Sequence, residues 1–514
     1  MREKKRVMRG NRRYNGLRGR YKMSKPNFLV FMTDQQRGDM QPPFGKIHTP
    51  NMDRLLKKGV SFTNAYCPSP HCCPSRATFF SGLYPSEHGV WNNVNVSNAL
   101  SRGLFDNVRL FSEDLKDAGY QLYFSGKWHV SNCEDPENRG FENISVKPVV
   151  YQPVTNLPDD REWNTYKLSG RDGGYKCRPS DTPRKEGEII RSGYPEYVQY
   201  GVHDDLFNDI PVVDAAVTKI HDLTEDKPFF MYVGTLGPHD PYFAPQKYLD
   251  MYDINDIKLP ESFSDDMEDK PALYRRTRDQ FAQLSAEEHR ESIRRYYAYC
   301  TFEDALFGKL LDALESKGLL ENTIVIYTSD HGDYMGAHRL WAKGLPCFRE
   351  AYHITSVIGY GGVGWENKIY DNFISMADYA PTILDMAGVE TDRRFVGKSF
   401  ANFLKGGEPA KLRTEMYTQS NGNEVYGIQR AVFNEKYKYV FNAFDYDELY
   451  DLEVDTHEIN NLINDTKYAP VVKEMCLKMW RFAYENRDNI VNPYIMTALA
   501  PYGPGIIFEP DTQD

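Results

Sequence analysis

Six short stretches of the 514-residue chain hold side chains able to do chemistry together: Asp34-Gln35, Cys72 with Arg76, Lys127-Trp128-His129, His239, Asp330-His331 and Lys343. Four of them follow on apolar runs with strand character. Asn27-Phe-Leu-Val-Phe-Met32 leads into Thr33-Asp34-Gln35-Gln36, and Tyr120–Phe124 into Gly126-Lys127-Trp128-His129. Phe229–Val233 leads towards Gly237-Pro238-His239-Asp240, and Thr323–Tyr327 into Ser329-Asp330-His331-Gly332. One polar strand end is unremarkable. Four point to a site, because open α/β sheets bind ligands beyond the carboxyl ends of their strands.

Asp34, Gln35, Asp330 and His331 form an oxygen-rich set with one imidazole, suited to Ca²⁺, Mg²⁺ or Mn²⁺ rather than to zinc, which takes more His and Cys. Cys72 and Cys73 are adjacent and poorly placed to bridge each other, given the strict geometry of a disulfide. A thiol near the start of a helix, expected here around Ser75, sits in a field that favours a thiolate. Arg76 lies four residues on, one helical turn, and can reach back to the same point.

Residues 72–82, Cys-Cys-Pro-Ser-Arg-Ala-Thr-Phe-Phe-Ser-Gly, resemble a signature of the type I sulfatases of the alkaline phosphatase superfamily: Cys-x-Pro-Ser-Arg, with Gly six residues after the Arg. Phe80-Ser81 replaces the family's usual Leu-Thr before Gly82. The resemblance runs from about 26 to 490 and implies that Cys72 is oxidised by a maturation enzyme to Cα-formylglycine, whose hydrate is the nucleophile. It implies one divalent ion, commonly calcium, held by Asp34, Gln35, Asp330 and His331 with residue 72 completing the set. Many members carry a second Asp where this chain has Gln35. Lys127 and Lys343 match sulfate-binding lysines, His129 the base for sulfate release, and His239 a group that contacts sulfate or protonates the leaving group. Asn93 resembles a polar substrate contact of choline-sulfatase-like members. Two ammonium groups and a metal suit the charge that develops on sulfuryl oxygens. A plain thiolate attacking sulfur would leave an S-sulfo enzyme with no internal route to release, which a hydrated aldehyde provides.

The implied activity is hydrolysis of a sulfate monoester, of a small molecule or a carbohydrate, to alcohol and inorganic sulfate. The alternative is a phosphonate monoester or phosphodiester hydrolase of the same superfamily. Those enzymes place Tyr and Thr where this chain has Gly126-Lys127-Trp128-His129, so the segment favours sulfate. A catalytically dead sulfate-binding protein would be expected to lose the cysteine, a metal carboxylate or a lysine, and a thioredoxin-like redox protein would need Cys-x-x-Cys. The chain keeps the former and lacks the latter.

These groups need a scaffold, and strand and helix signals alternate through the first two thirds of the chain. Thr49–Leu56 reads as a helix with Thr49 as N-cap and Pro50 at its first position. Residues 110–118 read as a helix closed by Gly119, and a helix near 303–316 ends before Gly318. The alternation predicts an α/β fold, a large and mostly parallel sheet flanked by helices. By resemblance it is alkaline-phosphatase-like. From about 410 short strands follow, Val425–Phe433, Tyr437–Asn442 and Glu448–Leu452, then a helix near 468–485. They predict a smaller C-terminal α+β unit with a short antiparallel sheet. The expected division is a basic tail at 1–22, a catalytic domain at 23–405 with an insertion at 155–205 over the site's edge, and a C-terminal domain at 406–514. Specificity for the leaving alcohol is expected in loops 130–205 and 241–285.

Charge narrows the partners. The net charge is −11, and residues 1–22 alone carry +9, which leaves −20 for the body. An acidic body argues against nucleic acid as the main partner. No apolar run is long enough to span a membrane, and the basic head has no apolar core of the kind a secretory signal needs. The expectation is a cytoplasmic protein whose eight scattered cysteines are free thiols. His88, His203 and His353 read as structural or surface residues. His338 is left open, because its Gly-x-His setting recurs in related enzymes.

Overall fold

The structure, a computed structural model, describes residues 25–96, 98–145, 183–191, 197–224, 227–408, 412–423, 425–491 and 499–509. The basic head at 1–22 and much of the expected insertion at 155–205 lie outside the described residues. Among the described residues no helix is long and apolar enough to cross a membrane.

Strand β1, Asn27–Thr33, is buried along its whole length, with Phe28, Val30 and Met32 in one core cluster and Leu29 and Phe31 in another. That two-sided burial is what a continuous apolar run dictates. The other strands of its sheet are β2 (Gly59–Phe62), β3 (Gln121–Gly126), β4 (Glu142–Asn143), β5 (Phe229–Gly234), β6 (Thr323–Ser329), β7 (Ser356–Gly359) and β8 (Lys368–Tyr370). Their order across the sheet is β8-β2-β7-β6-β1-β5-β3-β4, and every pairing is parallel except the two made by β7. β6, β1, β5 and β3 are therefore parallel neighbours, with Thr33 opposite Ser329 and Gly234 opposite both Met32 and Gly126. Their carboxyl ends share one edge, which brings the four polar sequences together.

Helices cover both faces. α2 (Cys72–Ser81), α3 (Phe111–Asp117) and α6 (Tyr379–Ala387) pack on one side, and α1 (Pro50–Leu56), α4 (Asp209–Asp222) and α5 (Ala286–Ser316) on the other. The expected helix at 303–316 is the second half of α5. Its start is fixed by a reciprocal cap, in which the Ser285 hydroxyl accepts the N–H of Glu288 and the Glu288 carboxylate accepts the N–H of Ser285.

Two helix starts differ from the sequence reading. The Thr49 side chain does not cap α1. Asp304 of α5 does so instead, accepting the N–H groups of Asn51 at 3.0 Å and Met52 at 2.8 Å. A carboxylate is the stronger acceptor for these N–H groups. α2 begins at Cys72 rather than around Ser75. His71 is extended just before it, and Pro74 falls in the first turn, where its missing N–H breaks no helix bond. The helix ends at Gly82, whose φ of 71° is left-handed and whose Cβ, if present, would lie 2.5 Å from Phe395. The glycine six residues after Arg76 is thus a helix stop packed too closely for a side chain.

A second sheet holds β9 (Met416–Gly422), β10 (Tyr426–Phe433), β11 (Tyr437–Asn442) and β12 (Glu448–Asp451), antiparallel and in that order. α7 (Ala469–Glu485) lays Val472, Met475, Cys476, Met479 and Trp480 into its core. Asn423, in the turn between β9 and β10, accepts the N–H of Asn93 at 2.9 Å, so this sheet touches the loop that follows α2.

Asp304→Ala should lower unfolding free energy in urea by about 1–2 kcal/mol, the scale of losing a charged helix cap, while Thr49→Ala should cost less. The reverse ranking would show that Thr49 is the cap.

Candidate active site

The shared sheet edge and the first turn of α2 meet at one point. Asp34 leaves β1, Asp330 and His331 leave β6, and Cys72 opens α2; ligand atoms of all four lie within 4.8 Å of one another, and all four are buried. Cys72 Sγ is 3.3 Å from His331 Nε2 and 3.7 Å from Asp34 Oδ1. His331 Nδ1 lies 2.9 Å from the Gly332 carbonyl, which accepts only, so Nδ1 carries the proton and the Nε2 lone pair faces the cluster. Burial keeps this imidazole neutral, pulling its pKa down. Two carboxylates, an imidazole nitrogen and the residue 72 position are a donor set that fits a divalent cation. Gln35 shares the corner. Its N–H donates to Asp330 Oδ1 at 3.1 Å, its amide nitrogen to Asp333 Oδ2 at 2.6 Å, and its carbonyl accepts from Lys343 Nζ at 2.5 Å.

The Arg76 guanidinium is fully buried and joins the carboxylates. Nε donates to Asp330 Oδ2 at 2.8 Å and Nη2 to Asp34 Oδ2 at 3.2 Å, while Nη1 donates to the Lys127 carbonyl and the Tyr232 hydroxyl, each at 3.0 Å. Lys127 Nζ also donates to Asp34 Oδ2. Burial alone would push the Asp34 carboxyl up, but Lys127, with Arg76 behind it, holds it well below the usual range. Lys127 is released from β3 by Gly126, whose φ is 92° and whose Cβ would stand 2.0 Å from the Gly234 carbonyl.

His129 Nε2 is 2.9 Å from the Asn95 amide oxygen, which fixes the proton on Nε2 and the lone pair on Nδ1. Burial first, then Lys127 and Arg76, keep this ring neutral. His239 has the opposite tautomer: Nδ1 faces the Asp240 carbonyl at 2.6 Å, and Nε2 receives a hydrogen bond from Lys343 Nζ at 2.5 Å. Lys343 also stands 3.9 Å from Asp240. Cys72, Arg76, Asp34, Gln35, Asp330, His331, Lys127, His239 and Lys343 are thus linked through direct contacts, with His129 beside Lys127.

Asn93 lies next to the same helix in another capacity. Its amide oxygen accepts the N–H of Cys73 at 3.2 Å, capping α2 from outside. His338 is buried away from this group, bonded to Asp265 at 2.7 Å and stacked on Phe348. His88, His203 and His353 bond to Thr78, the Asp205 N–H and the Thr63 carbonyl respectively. Of the expected insertion, residues 183–191 and 197–205 are described, and the Tyr197 hydroxyl donates to Asp240 Oδ2 at 3.3 Å.

Sequence reasoning missed Asp333, Asp240, Asn95 and Tyr232. Asp240 and Asp333 stand one and two residues from recognised histidines, so adjacency would have flagged them. Tyr232, inside a buried strand, and Asn95, in a loop, carry no local signal.

Three comparisons bear on this arrangement. The sulfatase family model matches residues 26–389, and a model of the N-sulphoglucosamine sulphohydrolase C-terminal region matches 336–485. The uncharacterized sulfatase YidJ of Escherichia coli is 31% identical over 463 residues, covering 88% of this chain and 86% of its own. The choline-sulfatase of Rhizobium meliloti is 28% identical, covering 86% of this chain and 83% of its own. In structure, the chain superposes on the phosphonate monoester hydrolase of Agrobacterium radiobacter with a TM-score of 0.72 at 23% identity, covering 90% of this chain and 96% of that one, a likeness of fold. The fold extends to hydrolases of another ester, but the family match spans most of the sequence, and on it the chain belongs to the sulfatase family and is a sulfuric ester hydrolase.

Proposed function

We propose that this protein hydrolyses a sulfate monoester at the centre formed by Asp34, Cys72, Asp330 and His331, with residue 72 acting as formylglycine and one divalent cation, Ca²⁺ or in its place Mg²⁺ or Mn²⁺, held by Asp34, Gln35, Asp330 and His331. The observation that carries the reading is the convergence of ligand atoms of Asp34, Cys72, Asp330 and His331 within 4.8 Å at the N-terminus of α2. Once in place, the aldehyde hydrate would supply a nucleophilic oxygen, and the cation would supply positive charge to it and to the sulfuryl oxygens. Gln35 is a neutral member of the set, its amide turned so that nitrogen meets Asp333 and oxygen meets Lys343.

The remaining steps belong to side chains of this chain. Lys127 and Lys343 bring two ammonium groups to the sulfuryl oxygens, with Lys343 standing beside the Asp240 carboxylate. Lys343 donates to His239 Nε2, and this pair would supply the proton that the departing alcohol takes up. His129, neutral and presenting Nδ1, takes the proton whose removal releases sulfate from residue 72. Asn93 contributes by capping α2 rather than by its amide oxygen meeting substrate. The alternative, a phosphonate monoester or phosphodiester hydrolase, has support in the fold likeness alone. Lys127 and His129 favour sulfate. The site chemistry is common to aryl, steroid, choline and carbohydrate sulfates; the partners are that ester and a formylglycine-generating enzyme acting in the cytoplasm.

Peptide mass spectrometry of protein made with a competent maturation system should show conversion at Cys72 and not at Cys73; full activity from an unmodified thiol would refute the role of the aldehyde. Adding Ca²⁺ to chelator-treated protein should raise its melting temperature, as any ligand of the folded state does, and Asp330→Ala should abolish that shift. A shift with zinc alone would contradict the oxygen-donor argument. With an aryl sulfate, His129→Ala should release one equivalent of alcohol and then stall, whereas Lys127→Ala should slow alcohol release itself by ~10²–10³-fold. The same variants assayed on a matched aryl phosphonate separate the two readings: strong phosphonate preference, indifferent to both substitutions, would mean that sulfate is not the substrate.

A further inference from the structure

Behind the turn that carries His239 lies a group of buried polar atoms with no part in the steps above. Asp209, the first residue of α4, accepts the backbone N–H groups of Leu236 and Gly237 on its two carboxylate oxygens, each at 2.8 Å. That turn is tied onward in both directions. The Leu236 carbonyl accepts the N–H of His239, and the Gly237 carbonyl accepts the N–H of Asp34, both at 3.1 Å. One carboxylate thus sets the backbone leading to His239 and, one hydrogen bond further, that of Asp34.

Glu303 of α5 stands against the same turn. A Cβ added to Gly237 would lie 2.1 Å from Glu303 Oε1, so the carboxyl packs directly on the glycine backbone. Glu303 is wholly buried, and neither of its oxygens meets a donor; the buried hydroxyls of Thr235 and Tyr299 beside it also lack a partner. Glu303 and Asp209 lie against the same glycine, close enough for one carboxyl to donate to the other. Two ionised carboxylates, however, only accept and cannot bond to each other. The ionisable groups facing Asp209 are Asp205, Asp34, Tyr299 and Glu303, and those facing Glu303 include Asp205, Cys300 and Tyr327. None is a base that could compensate a second negative charge: Tyr299, Cys300 and Tyr327 are held neutral by burial, and the carboxyl groups oppose it. Burial, and then the neighbouring Asp209, pushes Glu303 well above the usual carboxyl range; burial lifts Asp209 to about 7, against the pull of its two N–H donors.

We propose that Glu303 is protonated and donates to Asp209, and that this pair is a positioning device that holds the 235–239 turn, and with it His239, at the reacting centre. The pair keeps its proton throughout: Asp209 accepts two N–H groups and one O–H. The inference rests on the reading of His239 as part of the acid that serves the departing alcohol. A misplaced acid matters most for a poor leaving group, and a general loss of folded protein lowers turnover of every substrate alike.

The test is kcat/KM on 4-nitrophenyl sulfate, a good leaving group, and phenyl sulfate, a poor one, for folded wild type, His239→Ala, Asp209→Asn, Glu303→Ala and Glu303→Gln. His239→Ala should lose at least ~10-fold more on phenyl sulfate than on the nitrophenyl ester. Asp209→Asn should show the same selectivity, since an amide cannot accept both N–H groups, and so should Glu303→Ala. Glu303→Gln should keep the wild-type ratio, because its amide still donates to Asp209. Equal losses on both esters in Asp209→Asn, or the Asp209→Asn pattern in Glu303→Gln, would overturn the proposal, and these two isosteric variants decide it even if Glu303→Ala does not fold. If His239→Ala itself is not selective, the reading of His239 fails and the pair's catalytic role falls with it; if His239→Ala is selective and Asp209→Asn is not, only the pair's role fails.

Discussion

Arg76 is the group without which the centre could not be assembled. Asp34 and Asp330 converge at the ends of adjacent parallel strands, both with no exposed surface. Two uncompensated carboxylates there would repel in a medium that screens poorly, and each would lose its hydration. The planar fork of the guanidinium answers both at once, one nitrogen to each acid, with the third nitrogen fixed by the Lys127 carbonyl and the Tyr232 hydroxyl. A lysine, a single point of charge, could not span the same four partners. The spacing from Cys72 to Arg76 follows, since one helical turn is what allows a helix start to present the thiol to the cluster while the guanidinium passes between the acids.

The parts of the fold that were legible in the sequence are those dictated by continuous burial or by a stop signal. β1, β5 and β6 read directly from their apolar runs, and α3 and α5 end where Gly119 and Gly318 end them. The first half of α5 was not legible from periodicity, because residues 287–297 are mostly charged, with Ile293 the one aliphatic side chain ahead of Tyr296 and Tyr297. Its Ser285-x-x-Glu288 cap was there to be read. The Thr49 cap failed for another reason: its replacement, Asp304, is far away in sequence, and no local pattern reveals an acceptor arriving from a different helix. The same limit explains Asn93 and Asn95. Their partners, the Cys73 N–H and His129, are fixed only once the loop after α2 has folded back over it.

The three histidines of the site share one ring chemistry and are differentiated by what each ring is bonded to. His331 and His239 both direct Nδ1–H at the backbone carbonyl of the following residue, leaving Nε2 to face Asp34 and Cys72 in one case and an ammonium in the other. His129 directs Nε2 at a side-chain amide and so presents Nδ1. Burial among cations keeps His129 neutral, and burial does the same for His331. Neutral rings are what a metal ligand and a base require, and what a solvent-exposed histidine would not hold across the physiological range. The residue type is set by the sequence, and the ring nitrogen that carries the proton by the acceptor beside it, a following backbone carbonyl for His331 and His239 and the Asn95 side chain for His129.

Gln35, the position that departs from the commoner second Asp, is explained by its surroundings. Asp333 lies on one side of its amide, buried and already bonded to the Tyr242 hydroxyl at 2.6 Å and to the N–H groups of Met335 and Ala342. Lys343 lies on the other. An amide has a donor end and an acceptor end, and here each meets its complement, so one rotamer is selected with the carbonyl at Lys343. A carboxylate at position 35 would place acceptor against acceptor at Asp333 and add a negative charge beside Asp333 and Asp240. Either Asp333 would have to carry a proton or Lys343 would be drawn away from His239. The neutral residue thus preserves the Lys343–His239 contact, and the choice of Gln over Asp at the proposed metal set is at the same time a choice about the proton held on the opposite side of the site.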